Sequence, residues 1–269
     1  MADEPLVSTR HGAVQKLLFN NPTRRNGLNV AMADALVAAL ARAAEEPDIR
    51  AVVLGGVEGH FCSGADLSAS LTDLDPSPEG RREVARRVLV GRFHPALRAL
   101  WDFPKPVVAQ LDGASVGFGL SIALACDLRI MADDAYLSCG FLKLGLFPDG
   151  GALYQLDRLV GLGRALELVL DPERRLLAAE AQAWGLAAKV VAPALAAGEA
   201  LAVASRLALG PPGVQREAKR ELQARRQSLA DALEAEVAPV ADCLASDDAA
   251  EGLLAFFEKR APRFGIAPG

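Results

Sequence analysis

The chain has few of the residues that usually build metal and redox centres. It contains only three histidines and four cysteines among 269 residues. The cysteines, Cys62, Cys126, Cys139 and Cys243, lack the spacing of zinc ligands. A zinc site is therefore not expected, and thiols of this kind predict a protein of the reducing cytoplasm.

Long apolar runs and an excess of positive charge are also missing. No stretch reaches the about 20 apolar residues that a membrane-spanning helix needs. The acidic, proline-containing residues 1–9 do not have the pattern of a signal peptide. The formal net charge is −5, which argues against non-specific electrostatic binding to nucleic acid or anionic lipid. The sequence thus predicts neither a membrane nor a nucleic acid as a partner.

Aromatic residues make up only 5% of the chain, whereas hydrophobic residues as a whole make up 51%. This is enough apolar material for a sizeable core. β-Branched and aliphatic runs predict strands at residues 14–19, 50–55, 107–111 and 189–191. Helical patterns cover residues 30–44, 120–125, 161–170 and 178–185, and one further helical pattern ends near residue 101. From residue 198 onward the pattern is helical, with a break at 210–213. We predict an α/β fold, with a core of residues 1–200 and a C-terminal helical region of residues 201–269.

The stretch of residues 105–161 organises the rest of the sequence. Its strand runs into three glycines, Gly113, Gly117 and Gly119, and then into an apolar helix. Backbone N–H groups at such a helix N-terminus favour an anion, or an oxygen that becomes one during a reaction. A tight turn needed only for packing explains the same glycines. A dinucleotide fingerprint is excluded because Ile122 stands where its third glycine is required.

Two further loops are rich in turn-forming residues. Residues 59–67 make a second glycine-containing turn after a strand, and residues 20–29 contain two cations, Arg24 and Arg25. Asn29 is predicted to be the N-cap of the helix that follows. The abundant Asp, Pro, Ser and Gly of residues 71–82 predict a mobile segment.

Short motifs occur in order along nearly the whole chain: NP and NGL within 21–28, FCSGADL at 61–67, KP through DG at 105–113, GFG at 117–119, CD at 126–127, GLFPDGG at 145–151, WGL at 184–186 and FFEKRAPRF at 256–264. Each motif alone is weak. Together they make the chain resemble the enoyl-CoA hydratase/isomerase (crotonase) superfamily. The resemblance implies a crotonase-like spiral of ββα units with a C-terminal helical trimerisation region, and a homotrimer or a dimer of trimers.

The resemblance also implies an acyl-CoA site, with coenzyme A as part of the thioester substrate and not as a separate cofactor. Two main-chain N–H groups would stabilise the charge that develops on the thioester oxygen, and by motif position these are the amides of Ser63 and Phe118. The implied coenzyme A contacts are Arg24 or Arg25 with its phosphates, the backbone of Ala65, Asp66 and Leu67 with its adenine, and Lys259 with its ribose phosphate. Solvated surface charge is the competing interpretation of these cations.

The acyl pocket would be lined by Phe93, Phe118 and Phe141. Relatives usually have glycine at the position of Phe118, so its side chain is expected to narrow this pocket. Because the implied oxyanion donor is a main-chain group, the substitution removes no hydrogen bond.

The pair of glutamates that a hydratase of this superfamily uses is absent. Ser121 and Phe141 occupy the two positions, and neither acts unaided as a general base near neutral pH. Asp149 lies between Pro148 and Gly150, where similar isomerases carry an acid. A single carboxylate suits an isomerase, because it can remove a proton from one carbon and return it to another. We therefore expect Asp149 to be the catalytic acid and base, with a helix N-cap as the competing role.

His94 leaves other activities open. In aryl-CoA dehalogenases of the superfamily, a histidine at this place activates water and an aspartate at the place of Asp149 attacks an aryl carbon. A hydratase or hydrolase that uses Asp149 and His94 is thus an alternative, and a non-catalytic crotonase-fold binding protein is another. A lone histidine on a helix is also often structural.

Overall fold

The computed structural model describes residues 4–66, 91–144, 146–171 and 173–224, together with the single positions 251, 258, 260, 263 and 265. Within these ranges, none of the helices combines the length and the hydropathy that crossing a lipid bilayer requires. The segment predicted to be mobile, Leu67, Lys259, Cys243 and most of the predicted helical region after residue 224 lie outside the described residues.

The strands of the described ranges are β1 (Leu6–His11), β2 (Val14–Phe19), β3 (Ala51–Gly56), β4 (Val107–Leu111), β5 (Ala114–Val116), β6 (Leu128–Ala132), β7 (Tyr136–Ser138), β8 (Leu176–Leu177) and β9 (Lys189–Val191). The helices are α1 (Val30–Glu45), α2 (His94–Trp101), α3 (Phe118–Ala125), α4 (Ala152–Val160), α5 (Leu162–Leu170), α6 (Ala178–Ala183), α7 (Pro193–Ala208) and α8 (Pro212–Ala224). Two 3₁₀ turns occur at Pro22–Arg24 and Phe141–Leu144.

Two sheets organise these elements. The larger has the strand order β1-β2-β3-β4-β6-β9, in which β1 and β2 are antiparallel and the other pairs are parallel. The smaller has the order β5-β7-β8 and pairs β5 with β7 in parallel. Because β5 follows β4 after only two residues, the small sheet lies directly beyond the carboxyl end of a central strand.

The central strands of the large sheet are buried on both faces. Every residue of β3 and β4 is buried, so these strands do not alternate between apolar and polar residues, and Gln110 of β4 is a buried polar residue. One core cluster joins the sheet to α1, α2 and α3. A second cluster packs Ala200, Val203 and Ala204 of α7 against Val53 and Val108 on the opposite face.

The elements with the strongest local signals form as expected. The predicted strands β2, β3, β4 and β9 are confirmed to within one residue. Asn29 caps α1, because its side-chain oxygen accepts a hydrogen bond from the Met32 N–H at 2.9 Å. Helix α3 begins at Phe118, two residues before the predicted start, since its first turn is made of the glycine motif itself.

Helix α7 runs across the predicted boundary between residues 200 and 201. It starts at Pro193 and is continuous to Ala208, and residues from both sides of the boundary pack on the core sheet. The division at 200/201 is therefore wrong at this point, because the first helix assigned to the C-terminal region belongs to the core.

Buried Arg129 on β6 closes the C-terminal end of α3. Its guanidinium donates to the carbonyl oxygens of Leu186 and, at 2.8 Å, of Cys126, and it also contacts the Ala123 carbonyl at 3.3 Å. The last carbonyls of a helix lack intrahelical donors. Burial lowers the pKa of this guanidinium, because desolvation disfavours its charged form.

We expect Arg129→Met to lower the free energy of unfolding by about 3 kcal/mol, because it leaves buried carbonyl oxygens without donors. Urea unfolding followed by circular dichroism measures the loss. Arg10→Met is the control, since Arg10 is exposed and such surface changes cost about 0.5 kcal/mol or less. Equal losses in the two variants would contradict the assignment.

Candidate active site

Two glycine turns meet beside the small sheet. The Cys62 N–H donates to the Ala114 carbonyl at 3.0 Å, and the Val116 N–H donates to the Cys62 carbonyl at 3.0 Å. Gly119 permits this approach, because a Cβ there would lie 2.2 Å from the Cys62 carbonyl oxygen. The described part of this turn, residues 59–66, is thus held against the start of α3.

The N-terminus of α3 presents an unpaired amide. Phe118 is the first helical residue and follows Gly117, whose φ is +55°. Among the described residues, no acceptor lies within hydrogen-bond distance of the Phe118 nitrogen. It is one of the open donors of a first helical turn, and it is available for the predicted role.

The Ser63 amide is not available, so its predicted role as an oxyanion donor is wrong. Its N–H donates to the Arg25 carbonyl oxygen at 3.1 Å. Its hydroxyl donates to the Arg24 carbonyl oxygen at 2.7 Å. Ser63 therefore fastens the arginine loop to the glycine turn and has no amide proton left for a ligand.

The Ala65 N–H, in contrast, has no hydrogen-bond acceptor among the described residues. The Leu28 N–H donates to the Gly64 carbonyl and the Asp66 N–H donates to the Leu28 carbonyl, each at 2.8 Å. Bonds on both sides of Ala65 in this parallel bridge turn its own N–H away from Leu28, and no described residue accepts from it. A Cβ on Gly64 would lie 3.9 Å from the Phe118 nitrogen. The turn that carries the Ala65 amide is therefore adjacent to the Phe118 amide.

Asp149 and His94 are in direct contact. His94 Nε2 lies 2.6 Å from Asp149 Oδ1, and the Gly150 N–H donates to the same oxygen at 2.7 Å. A carboxylate beside this nitrogen favours the tautomer that carries the proton on Nε2. The side chains are 35% and 25% exposed, respectively. Within the described ranges Asp149 Oδ2 has no hydrogen-bond partner, so it is open to a ligand.

The positions of the two missing glutamates are buried. Ser121 has no exposed surface, and its hydroxyl donates to the Asp149 carbonyl oxygen at 2.7 Å. Phe141 belongs to the hydrophobic core, so its predicted contact with a substrate stays a prediction. Neither residue brings a titratable group to the site.

The Phe118 ring does not narrow an open pocket, which corrects the expectation from the sequence. It is buried and packs on Phe93 with a centroid distance of 5.5 Å. It also lies beneath Gly150, where a Cβ would come within 2.9 Å of Phe118 Cε2. The two aromatic rings support the Asp149 turn from the core.

A cavity of about 490 Å³ opens beside His94 and Gly150. Leu97, Trp101 and Tyr154 form part of its wall, with the two aromatic rings edge to face at a centroid distance of 5.9 Å. Its size is that of a small-molecule site. The sequence did not indicate this wall, because Tyr154 lies on α4, a helix that the periodicity did not predict.

The residues expected to hold coenzyme A remain candidates. Arg24 and Arg25 are exposed, and neither side chain forms an ion pair within the described part of the chain. Asn26, which the sequence did not single out, is fully buried and holds their loop by donating to the carbonyls of Val57 at 2.8 Å and His60 at 2.7 Å. The predicted contacts of the backbone at Ala65 to Leu67 and of Lys259 are not tested by this arrangement.

The cysteines near the site are not nucleophiles. Cys62, Cys126 and Cys139 are buried and unpaired. Burial raises the pKa of the Cys62 and Cys139 thiols to about 11 and that of Cys126 to about 12. Because the thiolate is the reactive form, burial and the raised pKa values argue against thiolate catalysis by these residues near neutral pH.

The chain is similar to known proteins over nearly its whole length. The family model described as Enoyl-CoA hydratase/isomerase matches residues 9–266. The chain is 34% identical over 261 residues to the mitochondrial "Enoyl-CoA hydratase domain-containing protein 2" of Bos taurus, covering 93% of this chain and 84% of that protein. It is 32% identical over 265 residues to the 1,2-epoxyphenylacetyl-CoA isomerase of Escherichia coli strain K12, covering 97% and 98%.

Solved structures confirm the predicted fold. The crystal structure of an enoyl-CoA hydratase from Polaromonas sp. JS666 superposes with a TM-score of 0.89 at 31% identity, covering 96% of this chain and 99% of that one. The crotonase-like α/β architecture, the ordered motifs and the family match agree. The chain belongs to the enoyl-CoA hydratase/isomerase family.

Proposed function

We propose that this protein moves the double bond of enoyl-CoA thioesters, with Asp149 as acid and base. The observation that carries the proposal is the arrangement of the Asp149 carboxylate: two donors hold Oδ1, while Oδ2 has no hydrogen-bond partner among the described residues. Ser121 and Phe141 fill the positions of a hydratase's two glutamates. One open carboxylate oxygen suits a reaction that takes a proton from the α-carbon and returns it to the γ-carbon.

The amides of Ala65 and Phe118 are the proposed donors to the thioester oxygen. Removal of the α-proton sends its electron pair toward that oxygen, and fixed N–H groups stabilise the resulting enolate. Protonation at the γ-carbon then brings the double bond into conjugation with the thioester. Asp149 carries the proton between the two carbons, and His94 holds the carboxylate in place.

The cavity beside His94 and Gly150 is the proposed acyl site, in place of the pocket expected between buried phenylalanines. Leu97 and Trp101 offer apolar and aromatic surface to an acyl chain. The name of the Escherichia coli relative, an isomerase of a phenylacetyl-CoA derivative, supports isomerisation. The name of the Bos taurus relative contains hydratase, so the reaction has to be measured.

The test compares a 3-enoyl-CoA with a 2-enoyl-CoA as substrates of the purified protein. We expect conversion of the first into the conjugated thioester, followed by ultraviolet absorbance. Hydration of the second should be slower by at least about 100-fold, because Ser121 and Phe141 offer no carboxylate to activate water. Hydration at a rate comparable with isomerisation would overturn the proposal.

Attack on an aryl-CoA is the second candidate function, and the 2.6 Å contact between His94 and Asp149 favours it. In that reaction Asp149 displaces a ring substituent to form an ester, and His94 activates the water that hydrolyses it. His94→Gln separates the candidates. The ester would accumulate on Asp149 and appear in the intact-protein mass if the second candidate is right. An isomerase would show only a reduced rate.

We propose that the subunits of the expected homotrimer contact one another through α5. Leu162, Leu166 and Leu170 follow one another at every fourth position on this helix. They are 66%, 44% and 64% exposed, and contiguous exposed apolar surface marks interaction sites. The stripe therefore offers a surface that a second copy of the chain can cover.

Replacing both Leu162 and Leu166 with Glu is expected to reduce the molar mass from trimer to monomer, because charges would have to be buried in the contact. Size-exclusion chromatography with light scattering measures the mass. Leu195→Glu, at an exposed position on α7, is the control and should leave the mass unchanged. An unchanged trimer in the double variant would remove α5 from the contact.

A further inference from the structure

We propose that Ser121 is a positioning residue for Asp149, acting through the peptide unit between Asp149 and Gly150. The inference deepens the proposed function and rests on it for the reaction that is assayed. Ser121 stands at the position where a hydratase of the superfamily has a glutamate. The sequence alone therefore indicates only that a catalytic carboxylate is missing there. In the structure its hydroxyl supports the carboxylate that remains.

A single peptide plane connects the hydroxyl to the carboxylate. Its carbonyl oxygen accepts from Ser121 Oγ at 2.7 Å. Its N–H, on Gly150, donates to Asp149 Oδ1 at 2.7 Å, and this oxygen also meets His94 Nε2 at 2.6 Å. Because the peptide unit is planar and rigid, rotating its carbonyl also rotates the N–H away from the carboxylate.

The Ser121 hydroxyl is the shortest contact on this carbonyl. The Ala152 N–H lies 3.4 Å from the same oxygen, which is long for a hydrogen bond. The alternative acceptor for the hydroxyl, the Gly117 carbonyl, is also 3.4 Å away. Ser121 is fully buried, and hydrogen bonds are stronger where water is excluded. The hydroxyl therefore sets the orientation of the peptide plane.

Packing fixes the turn against the same residue. Gly150 has a φ of +64°, and a Cβ there would lie 2.9 Å from both Phe118 Cε2 and Ser121 Cβ. The turn thus sits directly on α3, against the Ser121 side chain. A hydroxyl on α3 therefore supports the turn that carries the Asp149 carboxylate.

The test compares Ser121→Ala with Ser115→Ala. Ser115 is the matched control, because it is also buried and its hydroxyl has no partner among the described residues. Two readouts are needed: kcat and KM for the 3-enoyl-CoA, and the ¹⁵N resonances of the His94 ring. The chain has only three histidines, so ¹⁵N-histidine spectra are simple and His94→Gln assigns the signal.

We expect Ser121→Ala to lower kcat by about 10-fold to 100-fold, because a small misplacement of a reacting group is costly, with KM nearly unchanged. The His94 resonances should shift because the carboxylate they report on has moved. Ser115→Ala should leave both readouts unchanged. A fall in kcat without a shift of the His94 signals would overturn the proposal, as would lost stability with both readouts unchanged.

A second pair of variants covers the case in which Ser121→Ala fails to fold. Gly150→Ala and Gly151→Ala share the strain of a positive φ, +64° and +72°, but only the first brings a Cβ against α3. A larger loss of kcat and a larger shift of the His94 signals in Gly150→Ala than in Gly151→Ala support the positioning role of Ser121. Equal effects in the two variants overturn it. If the wild type has no isomerase activity but Ser121→Ala still shifts the His94 signals, the positioning role of Ser121 is upheld and the proposed function is rejected.

Discussion

Asp149→Asn is expected to lower kcat for 3-enoyl-CoA isomerisation by about 10³-fold, because general acid–base catalysis contributes factors of this order. The amide has the shape of the carboxylate and keeps an oxygen for the Gly150 N–H, but it cannot accept the α-proton. Affinity for the thioester should change little, because the proposed coenzyme A contacts lie elsewhere. The variant therefore separates chemistry from binding.

Single-turnover kinetics measure the loss, and calorimetry with a non-reactive acyl-CoA measures binding. Asp157→Asn is the control, because Asp157 is exposed on α4, near Asp149 in sequence. It should retain the wild-type rate. An Asp149→Asn enzyme that keeps more than about a tenth of the wild-type kcat would show that another group moves the proton, since positioned acids and bases normally contribute at least about 10²-fold.

Gly64→Ala is expected to lower kcat/KM by at least about 100-fold, the usual cost of losing one oxyanion donor. A methyl group on Gly64 would lie 3.2 Å from the Val116 carbonyl oxygen and 3.9 Å from the Phe118 nitrogen. It would crowd the space beside the amide that we assign to the thioester oxygen. The φ of +115° adds backbone strain, which displaces the following Ala65 amide.

Gly59→Ala separates strain from crowding. Gly59 has a φ of +72°, but a Cβ there meets nothing within 4 Å. Both variants should lose stability through their backbone conformation, by about 1–3 kcal/mol, whereas only Gly64→Ala should lose activity at temperatures where both are folded. Equal activities in the two variants would place the oxyanion site elsewhere.

The sequence predicted the parallel strands β2, β3, β4 and β9 well, because β3 and β4 are rich in buried apolar residues, but it did not predict the buried strand β6. It missed β1 because most of that strand is polar and exposed, and its formation depends on pairing with β2. Strand β5 has only three residues between glycines, too few for a periodic signal. Helix α4 has its apolar residues on one face, a pattern that the sequence prediction did not use.

The site was predicted at the level of its turns but not of its individual amides. The motif around Ser63 lies in the turn where we propose the oxyanion donor, but the choice between Ser63 and Ala65 depends on contacts with Arg25 and Leu28, which are distant in sequence. Likewise, the direction of the Phe118 ring is set by packing against Phe93. These are tertiary contacts, and spacing along the chain does not contain them.

Isomerisation of a 3-enoyl-CoA deuterated at its α-carbon tests whether Asp149 transfers the proton. We expect a 2-enoyl-CoA that carries deuterium at the γ-carbon above the solvent level, because Asp149 takes the label from one carbon and returns it to the other while the amides of Ala65 and Phe118 hold the enolate. Mass spectrometry of the product locates the label. A product that has gained the mass of water as a 3-hydroxyacyl-CoA would contradict the account.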